Sequence, residues 1–200
     1  MAQTSGIMEL TAPLKMKVRR TKLTEEQFIE LCQENPELRL ELTAQGELVI
    51  MPPTGSEGGW RSGEVFLALG IWTRQDDTGL SFDSSTGFTL PNGAIRSPDA
   101  SWIQRERWTA LSKAQREKFA PICPDFVIEV RSLTDRLSDL LEKMQEYLDN
   151  GARLGWLIDP IDKRVYMYRP GQPVEMLDNP QTINADPILP GFTLRVQELW

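Results

Sequence analysis

Two acidic side chains in this sequence stand within apolar runs of the kind that form buried strands. Glu129 lies inside residues 124–132, where β-branched and aromatic side chains predict a strand that is buried on both faces. A carboxylate there is costly to desolvate unless it meets a cation or strong hydrogen-bond donors. Asp99 stands near the start of a second such run, residues 97–103, and Arg131 is expected to share a strand face with Glu129. Two acids and a base on neighbouring strands are typical of metal-dependent phosphodiester cleavage.

The composition narrows the possible chemistry. The 200 residues include no histidine, which excludes histidine-dependent hydrolases and zinc sites of the usual histidine type. Carboxylates without histidine or paired cysteines favour a hard cation, Mg²⁺ or Mn²⁺. The sequence has no apolar run long enough to span a membrane and no secretion signal, and Cys32 and Cys123 are far apart. We therefore expect a cytoplasmic protein with buried, reduced thiols.

The net charge of −7 opposes nonspecific binding to nucleic acid, which depends mainly on lysine and arginine at phosphates. The basic residues nevertheless form two groups, and either could make a local phosphate-facing patch. A solvated face is the favoured interpretation of both. The first group is Lys15, Lys17, Arg19, Arg20 and Lys22, and the second is Arg105, Arg107, Lys113, Arg116 and Lys118.

The hydrophobic periodicity predicts a mixed α/β (α+β) fold. Thr24 and Gln27 have the spacing of a capping box and predict a helix that ends near Asn35-Pro36. Residues 1–22 are expected to be a lead-in without regular structure, and residues 23–200 a single domain. Strands are predicted at 38–42, 47–51, 81–90, 94–103, 125–131, 154–158 and 164–168, with a short pair at 188–189 and 192–194. Further helices are predicted at 57–74, 109–119 and 136–150. This order favours a mixed sheet flanked by helices, preceded by an N-terminal helix and a β-hairpin.

Several segments together resemble a known family. They are residues 46–53, 97–99, 124–130, 142–147 and 155–160. Over roughly residue 23 to the end, the chain resembles the Uma-type restriction endonuclease family of the PD-(D/E)XK nuclease superfamily. The resemblance implies a restriction-endonuclease-like fold and an endonuclease that uses Mg²⁺ or Mn²⁺. It also implies nucleic acid as substrate, with DNA the first choice, and a homodimer.

The resemblance assigns roles to four residues near the centre of the chain. Asp99 and Glu129 fall on the two motif acids and are expected to hold the metal. The alternatives are a turn residue for Asp99, which follows a proline, and for Glu129 a buried glutamate paired with Arg131 or with a neighbouring strand. The superfamily lysine two residues after the second acid is replaced by Arg131, which stays protonated and is therefore expected to bind phosphate oxygens.

Lys143, in the following helix, borders Leu140 and Tyr147 at one edge of the apolar stripe, so it could reach inward towards the sheet. The resemblance implies that it positions or deprotonates the attacking water. The alternative for Lys143 is an exposed ion pair with Asp139 at i, i+4.

Two further acids have competing interpretations. Glu41 lies in the predicted first hairpin, and the resemblance makes it a candidate third metal ligand. A cross-strand partner for Arg39, or a solvent-facing glutamate, is the favoured interpretation. Asp125 would lie about 13 Å from Glu129 at about 3.3 Å per strand residue. It is therefore expected to open the strand and not to share an ion with Glu129, because Mg²⁺ ligands converge to about 2.0–2.1 Å from the ion.

The leading hypothesis is a metal-dependent endonuclease that carries out hydrolysis with metal-activated water. Two other classes remain open. The fold could be a binding or regulatory module that cuts nothing, since Arg131 stands in place of the motif lysine and the net charge is acidic. A carboxylate–lysine enzyme acting on a small phosphorylated molecule is the third.

Overall fold

The computed structural model describes residues 12–16 and 23–200. In these residues the α-helices are α1 (Glu25–Glu34), α2 (Ser56–Asp76), α3 (Arg105–Thr109), α4 (Lys113–Arg116) and α5 (Leu137–Asp149). The first strands are β1 (Leu14–Met16), β2 (Arg39–Leu42), β3 (Leu48–Met51), β4 (Gly79–Asp83), β5 (Phe88–Thr89), β6 (Ile95–Arg96) and β7 (Ala100–Gln104). The later strands are β8 (Phe126–Val130), β9 (Leu154–Asp159), β10 (Arg164–Tyr168), β11 (Glu175–Asp178), β12 (Ile183–Asn184) and β13 (Thr193–Leu194). A short 3₁₀ helix follows at Val196–Leu199.

A six-stranded mixed sheet forms the centre of the fold. Its strand order is β11-β10-β9-β8-β7-β4, and β8 and β9 form its parallel pair. Helix α5 makes the crossover between those two strands, as a parallel connection requires. The mixed sheet and its flanking helices confirm the predicted fold class.

The two faces of the central sheet are covered by different helices. Leu69 of α2 packs in one apolar cluster with Ile128, and Tyr147 of α5 packs in another with Val127. Alternation along β8 therefore turns Glu129 towards α5, because it lies two residues after Val127. All five residues of β8 are buried, as the sequence predicted.

A second, antiparallel sheet lies beside the first, with strand order β1-β3-β2-β6-β5. Helix α1 packs on it through Phe28, which lies in a buried cluster with Leu40, Leu42 and Ile95. The capping box at the start of α1 is confirmed: the Gln27 backbone N–H donates to the Thr24 hydroxyl oxygen at 3.3 Å. This sheet carries Glu41 on β2 and Arg96 on β6.

The strands that the sequence analysis expected in one mixed sheet are thus divided between the six-stranded central sheet and the five-stranded second sheet. The predicted strands at 81–90 and 94–103 are each broken, into β4 and β5 and into β6 and β7. Both breaks occur where the chain passes between the two sheets, and the second falls at residues 97–99, where Pro98 has no N–H to donate to a ladder. Periodicity did not reveal these breaks because both halves of each segment are apolar.

Other differences lie in shorter elements. The predicted helix at 109–119 is replaced by α3 and α4, because Ser112 and Gln115 form a second capping box that starts a new helix. Part of the predicted lead-in, Leu14–Met16, is a strand that pairs with β3. The short C-terminal pair lies at β12 and β13, and the exposed strand β11 was not predicted. None of the helices in residues 12–16 and 23–200 is long and apolar enough to cross a membrane.

Candidate active site

Side chains from both sheets and from α5 meet at one place. The Lys143 ammonium nitrogen lies 2.8 Å from Oε1 of Glu41 and 2.8 Å from Oε1 of Glu129. Asp99, which directly precedes β7, accepts a hydrogen bond at Oδ2 from the Val130 backbone N–H at 2.8 Å. The structure therefore brings together four of the five predicted site residues, and the inward orientation of Lys143 is confirmed.

Asp99, Glu129 and Lys143 line a small cavity of about 60 Å³, which we call the Asp99–Glu129 cavity. Its rim includes Arg39 on β2 and Ser132 after β8. In the part of the chain that the structure describes, no group of three or more acidic, histidine or cysteine side chains converges closely enough to hold a metal by protein ligands alone. A metal held here would have two carboxylates from the chain and would take its other ligands from water or substrate.

Glu41 is almost completely buried, with 2 % of its surface exposed. Its Oε1 accepts hydrogen bonds from Lys143 and from the Ser97 backbone N–H at 2.9 Å, and its Oε2 pairs with Arg96 at 3.0 Å. The interpretations of Glu41 as a solvent-facing residue or a partner of Arg39 are therefore wrong. Burial opposes its ionisation, but Lys143 and Arg96 outweigh that cost and lower the pKa of Glu41 to about 2.

Arg96 and Glu146 extend the site, and the sequence analysis missed both. The Arg96 Nε lies 2.6 Å from Oε2 of Glu146, while its Nη1 holds Glu41. Glu146 follows Lys143 by three residues on α5, so helical spacing could have placed the two on one face. Arg96 carries no such local signal, because its role depends on the pairing of β6 with β2.

Glu129 lies in an environment that favours its neutral form. Burial raises the pKa of Glu129 to about 8. The nearby negative charges of Asp99 and Glu41 also raise this pKa, whereas the positive charge of Lys143 lowers it. The Tyr147 hydroxyl donates to Oε1 of Glu129 at 3.0 Å. Desolvation also raises the pKa of Asp99 above its usual value.

The Lys143 amine is held protonated. Burial favours the neutral amine, but the charge of Glu41, together with that of Glu129 when it is ionised, outweighs burial and raises the pKa of Lys143 above its usual range. The alternative of an exposed ion pair with Asp139 is wrong, because the ion-pair partner of Asp139 is Lys15 at 3.5 Å.

Negative charge exceeds positive charge at this site. The acidic cluster, as we name it, has the four carboxylates Glu41, Asp99, Glu129 and Glu146 around the two cations Lys143 and Arg96. When all six groups are ionised, the acidic cluster carries two more negative than positive charges, and the opposite charges of Arg39 and Asp135, which also line the cavity, leave this difference unchanged. Such an excess is costly in a buried place and is relieved either by protons or by a divalent cation.

Arg131 is the predicted site residue that the structure places elsewhere. Its Nη1 lies 2.8 Å from Oδ2 of the buried Asp159 and 3.6 Å from Asp162. Strand β8 ends at Val130, and Arg131 does not line the Asp99–Glu129 cavity. Its predicted contact with phosphate stays a prediction, and it would have to compete with two carboxylates.

Asp125 and the paired residues of the second basic group make their contacts away from the acidic cluster. Asp125 precedes β8, accepts from the Gln104 N–H at 2.9 Å and pairs with Arg107 at 2.8 Å, so it opens the strand as expected. In the second basic group, Arg105, Arg107 and Lys113 all have carboxylate partners. Of the first basic group, Lys17, Arg19, Arg20 and Lys22 lie outside the described residues.

The raised pKa of Glu129 predicts how stability depends on pH. The folded protein binds a proton at Glu129 up to about pH 8, whereas the unfolded chain releases it near 4.5. The free energy of unfolding of the metal-free protein should therefore fall, on the order of a few kcal/mol, as pH rises between those values. Glu129→Gln removes this titration but keeps an acceptor for Tyr147, and it should flatten the dependence. Urea unfolding across this pH window measures the effect, and a wild type whose stability rises or stays constant would contradict it.

Comparison with known proteins identifies the family. A sequence model of the Uma2 family, described as "Putative restriction endonuclease", matches residues 25–197. A crystal structure described as "a putative nuclease belonging to DUF820 from Anabaena variabilis ATCC 29413" has a TM-score of 0.73 and 22% sequence identity. That likeness covers 88% of this chain and 97% of the other, and it shows a shared fold. No curated protein matches this chain. The family match spans every strand from β2 to β13, helix α5 and every residue of the acidic cluster, and the chain therefore belongs to the Uma2 family.

Proposed function

We propose that this protein is a metal-dependent endonuclease that hydrolyses phosphodiester bonds, with DNA as its substrate. The observation that carries the proposal is the acidic cluster, whose two excess negative charges lie beside the Asp99–Glu129 cavity. The description of the family and the printed title of the Anabaena protein, a nuclease in both cases, support the same reaction class.

The donor set fits Mg²⁺ or Mn²⁺. Asp99 and Glu129 would hold the ion, since both line the cavity and both offer oxygen, the donor that hard cations prefer. Mg²⁺ is commonly held by one or two carboxylates, with water and substrate phosphates completing its shell. A site with two protein carboxylates is therefore sufficient, and the charge of the ion equals the excess negative charge of the acidic cluster.

The bound ion would lower the pKa of a coordinated water and neutralise charge on the phosphate. Lys143 stays protonated between two carboxylates, so it is suited to orient a water or phosphate oxygen and to stabilise developing negative charge. The same protonation makes it a poor general base. Tyr147 keeps Glu129 in place through its hydroxyl.

Glu41 acts in this proposal by holding Lys143 and Arg96. Its two oxygens accept from Lys143, Arg96 and the Ser97 N–H. The predicted role of Glu41 as a third metal ligand stays a prediction, and it would require one of these donors to move away.

A cytoplasmic location is also part of the proposal. Cys32 is half-buried and Cys123 is buried, and both are free thiols. Thiols of this kind persist in a reducing compartment.

A homodimer is supported by the outer face of α2. Trp60, Leu67 and Ile71 expose 47%, 54% and 51% of their surfaces there and lie at helical spacing. If two copies of α2 pair antiparallel with the twofold axis at Leu67, each residue faces the one that is equally far from Leu67 on the other side. Leu67 then contacts its own copy, Ile71 of one protomer lies against Gly63 of its partner, and Arg74 lies against Trp60. The small Gly63 leaves room for Ile71, and an arginine beside a tryptophan ring is a favourable cation–π contact. The face is thus self-complementary, as a twofold interface requires.

Cleavage of DNA with Mg²⁺ or Mn²⁺ tests the proposed reaction. Wild type should cut a DNA duplex, and Asp99→Asn and Glu129→Gln should each lower the rate at least about 100-fold, because each removes a charged metal ligand. Glu142→Gln is the matched control, since Glu142 is exposed and adjacent to Lys143 but outside the acidic cluster. Gel analysis of labelled DNA and of labelled RNA measures the rates.

The outcomes separate the alternatives. A wild type that binds DNA but cuts neither polynucleotide with either metal would contradict the endonuclease and favour the binding module. Cutting of RNA alone would correct the substrate.

The dimer is tested by sedimentation equilibrium. Leu67→Glu should convert the dimer to a monomer, because it sets two like charges against each other at the twofold axis. Ile161→Glu is the control, since Ile161 is an equally apolar side chain, 44% exposed, that lies after β9. A monomeric wild type, or a Leu67→Glu protein that still dimerises, would overturn the assignment.

A further inference from the structure

Arg39 is a cation at the candidate active site that forms no ion pair within 4.0 Å among the described residues, although its charge favours the ionised form of Asp99. It begins β2, two residues before Glu41. Its Nη1 lies 3.4 Å from the Thr54 hydroxyl oxygen and its Nη2 lies 3.4 Å from the Ser84 carbonyl oxygen. Both distances are long for an N–H···O hydrogen bond, which is commonly about 2.7–3.2 Å. The donors of this guanidinium are therefore only weakly engaged.

The other cations near the site are neutralised by carboxylates. Lys143 lies 2.8 Å from two carboxylate oxygens, and Arg96 is held at 2.6 and 3.0 Å. Arg131 lies 2.8 Å from Asp159. A phosphate that bound to any of these three would have to displace a carboxylate, whereas Arg39 needs to give up only two weak contacts.

Arg39 also lies at the boundary between two neighbouring surface pockets. It lines the Asp99–Glu129 cavity, and it lines a neighbouring open groove of about 280 Å³. Asp99 and Thr54 border both. The wall of the groove includes Gly59, where an added Cβ would meet nothing within 4 Å, so this side is open. A strand lying in the groove would pass Arg39 immediately before it reaches the carboxylates.

We propose that Arg39 binds a phosphate of the nucleic-acid strand in this groove, next to the bond that is cut, and that it takes the role predicted for Arg131. The identity of the ligand rests on the proposed function. A guanidinium presents a planar fork of donors that matches two phosphate oxygens, and the Thr54 hydroxyl beside it can donate as well. Arg39 also offsets repulsion between the phosphate and the acidic cluster.

Binding of a fluorescein-labelled DNA duplex tests this assignment. Affinity is measured by fluorescence anisotropy over a range of salt concentrations, with Ca²⁺ in place of Mg²⁺ to limit cleavage. Arg39→Gln should weaken binding about tenfold. It should also lower the slope of log affinity against log salt by about 0.9, the value for one phosphate contact. Arg39→Lys should restore the slope but not the full affinity, because lysine keeps the charge and loses the fork.

Arg116→Gln is the matched control for charge. Arg116 is an exposed arginine on α4, in the second basic group, and it should change affinity less than twofold. The assignment is overturned if Arg39→Gln binds as tightly as wild type, if Arg116→Gln weakens binding equally, or if wild type binds no DNA at low salt.

A calorimetric titration of Mn²⁺ into the same variants separates this inference from the proposed function. Arg39→Gln should bind Mn²⁺ at least as tightly as wild type does, because Asp99 and Glu129 are intact and a positive charge near Asp99 is removed. If wild type binds no Mn²⁺ but Arg39→Gln still weakens DNA binding, the metal mechanism fails and the phosphate site stands. If Arg39→Gln binds and cuts DNA normally, the phosphate site fails and the endonuclease stands.

Discussion

The contact on which the site depends is the ammonium group of Lys143 held between Glu41 and Glu129, 2.8 Å from each. These residues come from the second sheet, the central sheet and α5, so one cation, whose side chain is 11% exposed, joins the three parts of the fold. Removing it would leave two buried carboxylates facing each other without compensation, which is far costlier than losing a surface ion pair. The active-site geometry and the packing of α5 against both sheets are therefore coupled.

The same cluster is not balanced in charge. Glu41 is compensated by Lys143 and Arg96 and keeps a pKa of about 2, whereas the pKa of Glu129 is raised to about 8 and that of Asp99 is raised as well. Glu41 is therefore suited to stabilise the arrangement, whereas Asp99 and Glu129 hold their protons to a higher pH than usual and, in the proposed mechanism, would release them to a divalent cation. The clustered carboxylates therefore lower the stability of the fold at the same place where the proposed reaction needs them.

The sequence predicted the parts of the site that follow from local pattern. The apolar run around Glu129 identified a strand, and the helical spacing of Lys143 beside Leu140 and Tyr147 predicted its inward orientation. The family resemblance added Asp99, whose own context, directly after a proline, is equally typical of a turn. For the same reason the helix boundaries of α1, α2 and α5 were predicted within a few residues, since capping residues and periodicity act locally.

The rest depends on pairing between distant strands. Arg96 reaches Glu41 because β6 pairs with β2, and Arg131 is held by Asp159 because β8 lies beside β9. Neither strand pairing can be recognised from the residues near it in the sequence. The sequence analysis therefore missed Arg96 and expected Arg131 to face the substrate. Glu41 was expected to face solvent because a hairpin glutamate usually does, and a second sheet that buries it could not be recognised from periodicity.

The proposed mechanism requires that the acidic cluster hold a divalent cation. Isothermal titration of Mn²⁺ into wild type and into Glu129→Gln at low salt measures this directly. We predict that wild type binds the ion and that Glu129→Gln loses most of that affinity while it stays folded. A wild type that binds no Mn²⁺ even with DNA present, or a Glu129→Gln protein that binds it equally well, would contradict the account.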